Sequence, residues 1–278
     1  MPSPTGRERF TQLVSGAEDA LDLAEAALLI AQEEHPTLDV SVYLHKLDTL
    51  AAAVRARLPE APTPSDIVLN LNVHLYREEG FRGNTSAYYD PANSFLNEVL
   101  DRKTGIPITL SVVYMEVGRR LGLPLVGVGF PGHFLVKYTG PEGEMVLDPF
   151  LGGIALDHQQ LTHKLQTMYG EQNPFLSQIP QLLSPTSKKE ILVRMLRNLK
   201  GVYLQKNDFP RVLSAIERIL LIEPDVPVEI RDRGSVHQRL GHLQAALRDF
   251  QQYVTLAPRA EDAEAVRVML KRMTAQLN

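Results

Sequence analysis

Two residues stand out for the chemistry they could do. His133 opens one short apolar run and Asp148 closes another. An aspartate placed on an imidazole fixes its orientation and stabilises its charged form, so that the histidine can act as base for a nucleophile. The chain has no Cys, which excludes a thiolate nucleophile, a disulfide framework and a thiolate metal site. Hydroxyls remain. Thr109 and Ser111 lie near the start of a helix opened by Pro107, where the helix dipole favours an oxyanion. Each helical step turns by about 100°, so neither side chain need point as residue 107 does. Three readings follow: a hydrolase or amidase using Thr109 or Ser111 with His133 as base and Asp148 as orienter, a ligand-binding cleft around His133, or a hydrogen-bonded pair that steadies strands and helix.

The elements that must position these residues lie between Gly105 and Pro149. Pro107 suits a first helical turn, where its missing N–H is no loss. Arg119 and Arg120 fit the last turn, and Gly122 a left-handed stop. Residues 126–130, 133–138 and 144–147 read as strands by β-branched content, with a GPEG hairpin turn before the last. Upstream, residues 9–58 read as two amphipathic helices separated by His35-Pro36-Thr37, with Asp39 or Ser41 capping the second. His45 is a surface or half-buried helix histidine. A Pro-rich connector, 59–64, leads to a further helix over DIVLNLNVHLYREEG. Residues 80–93 form a loop by their Gly, Asn, Ser and Pro content. Its Phe81, Tyr88 and Tyr89 either pack the loop down or form a ligand platform. Asn93 or Ser94 is expected to cap a short helix. Residues 173–187 read as a Pro-, Ser- and Leu-rich linker.

From about Lys189 the pattern becomes repetitive. Tyr203, Ile216, Ile219 and Pro224 recur 34 residues later as His237, Phe250, Tyr253 and Pro258, the period of the tetratricopeptide (TPR) repeat. Gly234 and Ala246 supply small residues where two helices of a unit cross, and the last helix reads as a cap. His158 and His163 stand five apart, as do His237 and His242. That spacing does not put both on one helix face, so neither pair is expected to bind metal.

The segments GFRGNTSAYYDPANSFLNEVLDRKTGIPITLSVVY, GVGFPGHFLVKY and LDPFLGG resemble the SirB-type proteins, bacterial transglutaminase-like domains followed by TPR helices. The resemblance implies an α+β fold with a transglutaminase-like (papain-like) core, in which one helix packs on a small antiparallel sheet. N-terminal helices precede that core and a TPR-like α-helical domain follows it. We expect a helical segment over 1–60, the core over 61–180 and the repeats over 181–278. In the wider fold a Cys at the helix N-terminus joins the His and Asp. Its position here falls on or beside Pro107, which has no nucleophile, so ordinary transglutaminase or thiol-protease activity is excluded. The leading expectation is a non-catalytic, regulatory module binding a protein or peptide through the cleft or the TPR-like helices. Arg82, Asn84, Tyr88, Tyr89, Asp90 and His133 are the candidate ligand contacts. No cofactor and no metal are expected. A net charge of −4 gives no case for nucleic acid or membrane as partner. The first ten residues lack an apolar core, and no run approaches the ~18 apolar residues of a membrane span. A cytoplasmic location is the default expectation.

Overall fold

The computed structural model describes residues 5–277. It divides into two compact units, residues 1–192 and 193–278, and the boundary falls inside one helix.

The first unit opens with three helices where two were expected: α1 (Gly6–Ser15), α2 (Leu23–Gln32) and α3 (Val40–Arg55). Thr5 and Glu8 close a reciprocal cap on α1. Ala26 to Ala31 of α2 are all buried, because α2 touches α1, α3 and two later helices at once. A helix that is apolar all round belongs inside. Asp39 caps α3 through the backbone N–H of Ser41.

The expected helix over 66–80 divides in two. α4 (Pro64–Asn72) continues into a π-helical stretch, Val73–Glu78. A π-turn inserts a residue into the helical repeat and often accompanies a functional site. Strands β1 (Arg82–Gly83) and β2 (Thr104–Gly105) pair in parallel at either end of the 80–93 loop and the helix after it. That helix, α5 (Leu96–Arg102), has no side-chain cap. Asp90 instead caps a preceding 3-10 turn, Pro91–Ser94, so neither Asn93 nor Ser94 does what their type suggests.

The central helix α6 (Pro107–Arg120) is buried from Pro107 to Gly118. Next come β3 (Leu125–Val128), β4 (Leu135–Gly140), β5 (Gly143–Asp148) and β6 (Ile154–Ala155), all antiparallel. Side chains alternate across a sheet. Val128, Leu135 and Val146 therefore share the face covered by Leu161 and Leu165 of α7 (His158–Tyr169). The opposite face is left to α6, which contacts β3 and β4. At Gly118 a Cβ would come within 2.6 Å of the Leu125 side chain, so helix and strand approach more closely than any larger residue allows.

Residues 173–187 are not a linker. A short helix α8 (Ile179–Leu182) joins the sheet core through Ile179, and β7 (Pro185–Thr186) pairs with β3. The sheet order is β6-β5-β4-β3-β7.

Helix α9 (Lys188–Gln205) spans the boundary between units. Beyond it lie α10 (Phe209–Ile222), α11 (Pro227–Arg239), α12 (Leu243–Leu256) and α13 (Ala263–Leu277). The 34-residue period is structural: Ile216, Ile219, Phe250 and Tyr253 are all buried. A Cβ on Gly234 would stand 2.9 Å from the Phe250 ring, which explains the small residue at that crossing. His237 lies in the last turn of α11 and His242 at the N-cap of α12, so they share no helix face, yet the turn at Leu240-Gly241 brings their Nδ1 atoms to 3.3 Å. Among the described residues no helix is long and apolar enough to cross a membrane.

One side chain ties α6 to the end of α4 and the turn after β5. The buried Tyr114 hydroxyl donates to Asn72 Oδ1 at 2.8 Å, and Asn72 Nδ2 donates to the Gly153 carbonyl at 2.8 Å. Tyr114→Phe is expected to lower stability by about 1 kcal/mol, measured by urea unfolding, and unchanged stability would remove this tie from the account.

Candidate functional site

β4 and β5 pair with Val136 opposite Leu147. That register brings the entry to β4 beside the exit from β5, so His133 meets Asp148. A tight turn sets the histidine. Gly132 takes φ +63°, and the His133 N–H bonds the Phe130 carbonyl at 3.0 Å. The ring Nε2 lies 2.9 Å from each oxygen of Asp148, and the Phe150 ring meets the imidazole edge-on at 5.8 Å.

Asp148 is fully buried. Besides His133 it receives the backbone N–H groups of Phe150 (3.1 Å) and Leu151 (3.3 Å), which makes it the cap of the 3-10 turn Pro149–Leu151. Lys164, reaching in from α7, places Nζ 3.1 Å from its Oδ2. Burial pushes the carboxyl pKa up, but the His133 hydrogen bond, the His133 charge and Lys164 together outweigh burial. The result lies below the usual carboxylate value. The same negative charge reaches Tyr76 in the π-helical stretch. Burial, the neighbouring Tyr114 and Asp148 all raise its phenol well above the ordinary value.

The start of α6 is equally determined. Pro107 occupies its first turn and is buried. The Thr109 hydroxyl accepts from the Ile106 N–H at 3.1 Å and donates to the Asn93 carbonyl at 2.7 Å. Both capacities serve the helix start. Ser111 lies one turn beyond Pro107 on the same face. It is fully buried, and its Oγ has no hydrogen-bond partner among the described residues.

The 80–93 loop is organised on two asparagines. The Asn84 amide donates to Asn93 Oδ1 (3.0 Å) and accepts from the Ala87 N–H (2.9 Å), while Asn93 Nδ2 donates to the Ala87 carbonyl (2.7 Å). Asn84 is thus buried and committed to the loop's own shape. Asp90 pairs with Arg102 at 3.1 Å. Tyr88 and Tyr89 pack edge-to-face at 5.3 Å, and Tyr89 is 60 % exposed. Arg82 is exposed beside them in sequence. The loop reaches the histidine site through Gly83, where a Cβ would come within 2.5 Å of the Phe150 ring.

The structure thus brings together His133, Asp148, Lys164, Phe150, Gly83 and Tyr76. Arg82, Asn84, Tyr88, Tyr89 and Asp90 belong to the adjoining loop. Sequence reasoning missed Lys164 and Tyr76, for which no motif gives a signal. Phe150 lay within LDPFLGG and could have been weighed. Also missed was a groove of about 860 Å³ along α7, whose walls include Leu151, Ile154, Leu156, Lys164 and Met168. Its far end closes on the histidine turn, since a Cβ on Gly132 would collide with Met168.

Residues 41–197 match the transglutaminase-like superfamily and residues 199–271 the tetratricopeptide repeat. The chain is 38% identical to a UPF0162 protein of Xylella fastidiosa, over 93% of this chain and 92% of the relative. It is 30% identical to a UPF0162 protein of Vibrio cholerae, over 92% and 94%. It is 26% identical to protein SirB1 of Salmonella typhimurium, over 81% and 82%. The chain belongs to the transglutaminase-like superfamily, as a SirB-type protein with C-terminal TPR helices.

The depressed Asp148 carboxyl gives a pH signature. A folded-state pKa below the unfolded one adds stability above the ordinary carboxylate value of about 3.9, and that stability is lost as pH falls towards the folded value. Asp148→Asn is expected to flatten this acid limb and to cost about 3 kcal/mol or more at neutral pH, since His133 and Lys164 lose their shared partner. An unaltered acid limb in denaturant titrations from pH 7 to 3 would contradict the assignment.

Proposed function

We propose that this transglutaminase-like protein is a non-catalytic module that binds an extended peptide or protein segment at the His133 site. One observation carries the reading. The histidine and its carboxylate partner are buried together, while the first turn of α6 holds Pro107, which has no nucleophile. The Lys164 contact supports the same conclusion, because it commits Asp148 to an internal ion pair as well as to the imidazole. Along α7 runs a largely apolar groove, the composition that suits an extended chain: side chains such as Leu151, Ile154 and Met168 contribute contact area, and a few polar groups such as Lys164 fix the register. Tyr88 and Tyr89 offer exposed aromatic area on the adjoining loop, with Arg82 near them. Asn84 and Asp90 hold that loop rather than the ligand. TPR helices generally mediate protein–protein contacts, which agrees with a binding role and names no partner.

A second reading has one observation in its favour. Ser111 Oγ is buried without a partner on the helix face that Pro107 occupies, so a hydroxyl nucleophile for an amidase rests on Ser111 alone. Thr109 is committed to the helix start.

One experiment separates the two. Peptides selected from a displayed random library on the immobilised full chain are measured by titration and then incubated with the protein. We expect His133→Ala and Tyr89→Ala each to weaken binding by about tenfold or more, as hot-spot residues do, with the peptide recovered intact. Release of ammonia or of a cleaved product, abolished by Ser111→Ala, would overturn the non-catalytic reading. Binding unchanged in both alanine variants would overturn the placement of the ligand.

A further inference from the structure

Outside the histidine site, the turn between α11 and α12 holds an arrangement that the fold does not require. α11 ends in a Schellman closure. The Gly241 N–H bonds the Gln238 carbonyl at 3.1 Å and the His242 N–H bonds the His237 carbonyl at 2.9 Å, with Gly241 at φ +76°. The two residues that this closure brings side by side usually make a hydrophobic contact. Here both are histidines, His237 half-buried and His242 exposed. Their rings are tilted 52° to one another with centroids 5.5 Å apart. It is therefore the nitrogens, and not the ring faces, that oppose each other: Nδ1 to Nδ1 is 3.3 Å.

We propose that His237 and His242 form a binding site for one divalent transition-metal ion, of which Zn²⁺ is the best fit. Two nitrogens held at about 2.0–2.1 Å in a tetrahedral shell lie about 3.3 Å apart, the separation found here before any metal is added. Two facing imidazole nitrogens can share a proton or a metal ion. Small rotations of the two rings turn their lone pairs from each other onto a common point.

A carboxylate near the His237 ring favours the tautomer that ligation needs. Asp249 Oδ2 stands 3.9 Å from His237 Nε2, on the far side of the ring, and is itself fixed by Arg233 at 2.6 and 2.9 Å. A carboxylate on that side favours the proton on Nε2 and leaves Nδ1 as the ligand, the usual second partner of a metal-bound histidine. Two protein ligands leave two positions open to water or to a donor from a bound partner. The site lies on the TPR unit and is independent of the peptide-binding proposal.

The test is calorimetric titration of ZnCl₂ into the untagged full chain, with Co²⁺ as a spectroscopic probe of tetrahedral coordination. We expect one ion per chain with an affinity well below millimolar. Affinity should fall about tenfold or more in His242→Ala and in His237→Ala, and stay unchanged in a His158→Ala/His163→Ala control. His242 is exposed, so its variant remains informative even if His237→Ala unfolds. Absence of submillimolar binding, or binding that His242→Ala leaves intact, would overturn the site.

Discussion

The buried carboxylate of Asp148 is the constraint on which the first unit depends. A charge taken wholly out of water must be met by donors, and here it is met from three directions: the His133 ring, the Lys164 ammonium and the N–H groups of Phe150 and Leu151. Each donor belongs to a different segment. Satisfying one side chain therefore fixes the turn before β4, the turn after β5 and the placement of α7. Phe150, held by that turn, then lies between the His133 ring and Gly83, which extends the same constraint to the 80–93 loop. The arrangement resembles a catalytic pair in geometry, yet its carboxylate also neutralises a lysine.

The start of α6 is built for structure. Proline in the first turn needs no hydrogen-bond acceptor and presets the backbone angle. Thr109 closes the helix end and anchors the loop through the Asn93 carbonyl. Every residue from Pro107 to Gly118 is buried, so α6 is the hub on which helices and sheet converge. Ser111 is the one hydroxyl of this stretch with no such task.

Much of this was legible in the chain. Pro107, the Arg119-Arg120-Gly122 ending and the GPEG turn mark α6 and the β4–β5 hairpin, because capping and turn chemistry are local. The His133 and Asp148 strand ends followed from the same runs, and the 34-residue period foretold α9 to α13. Other features depend on contacts that sequence patterns do not encode. Lys164 sits on an ordinary amphipathic helix, and its partner arrives only by packing. The π-helical stretch keeps an apolar pattern compatible with an α-helix. β7 joins the sheet through backbone hydrogen bonds in a segment whose prolines suggest a linker. His237 and His242 fail a test of shared helix face because the helix ends between them, at Gly241. The 80–93 loop shows both sides: its aromatics were visible, whereas the Asn84–Asn93 bonding that shapes it was not.

The most direct measurement of the central claim is a single ¹⁵N-histidine NMR titration of the full chain with a selected binding peptide, followed overnight in one tube. A non-catalytic binding site predicts a saturable shift of the His133 ring resonances and a peptide spectrum that does not change with time. New peptide resonances growing at the expense of the original, or a His133 ring that never moves while peptide binds, would contradict it.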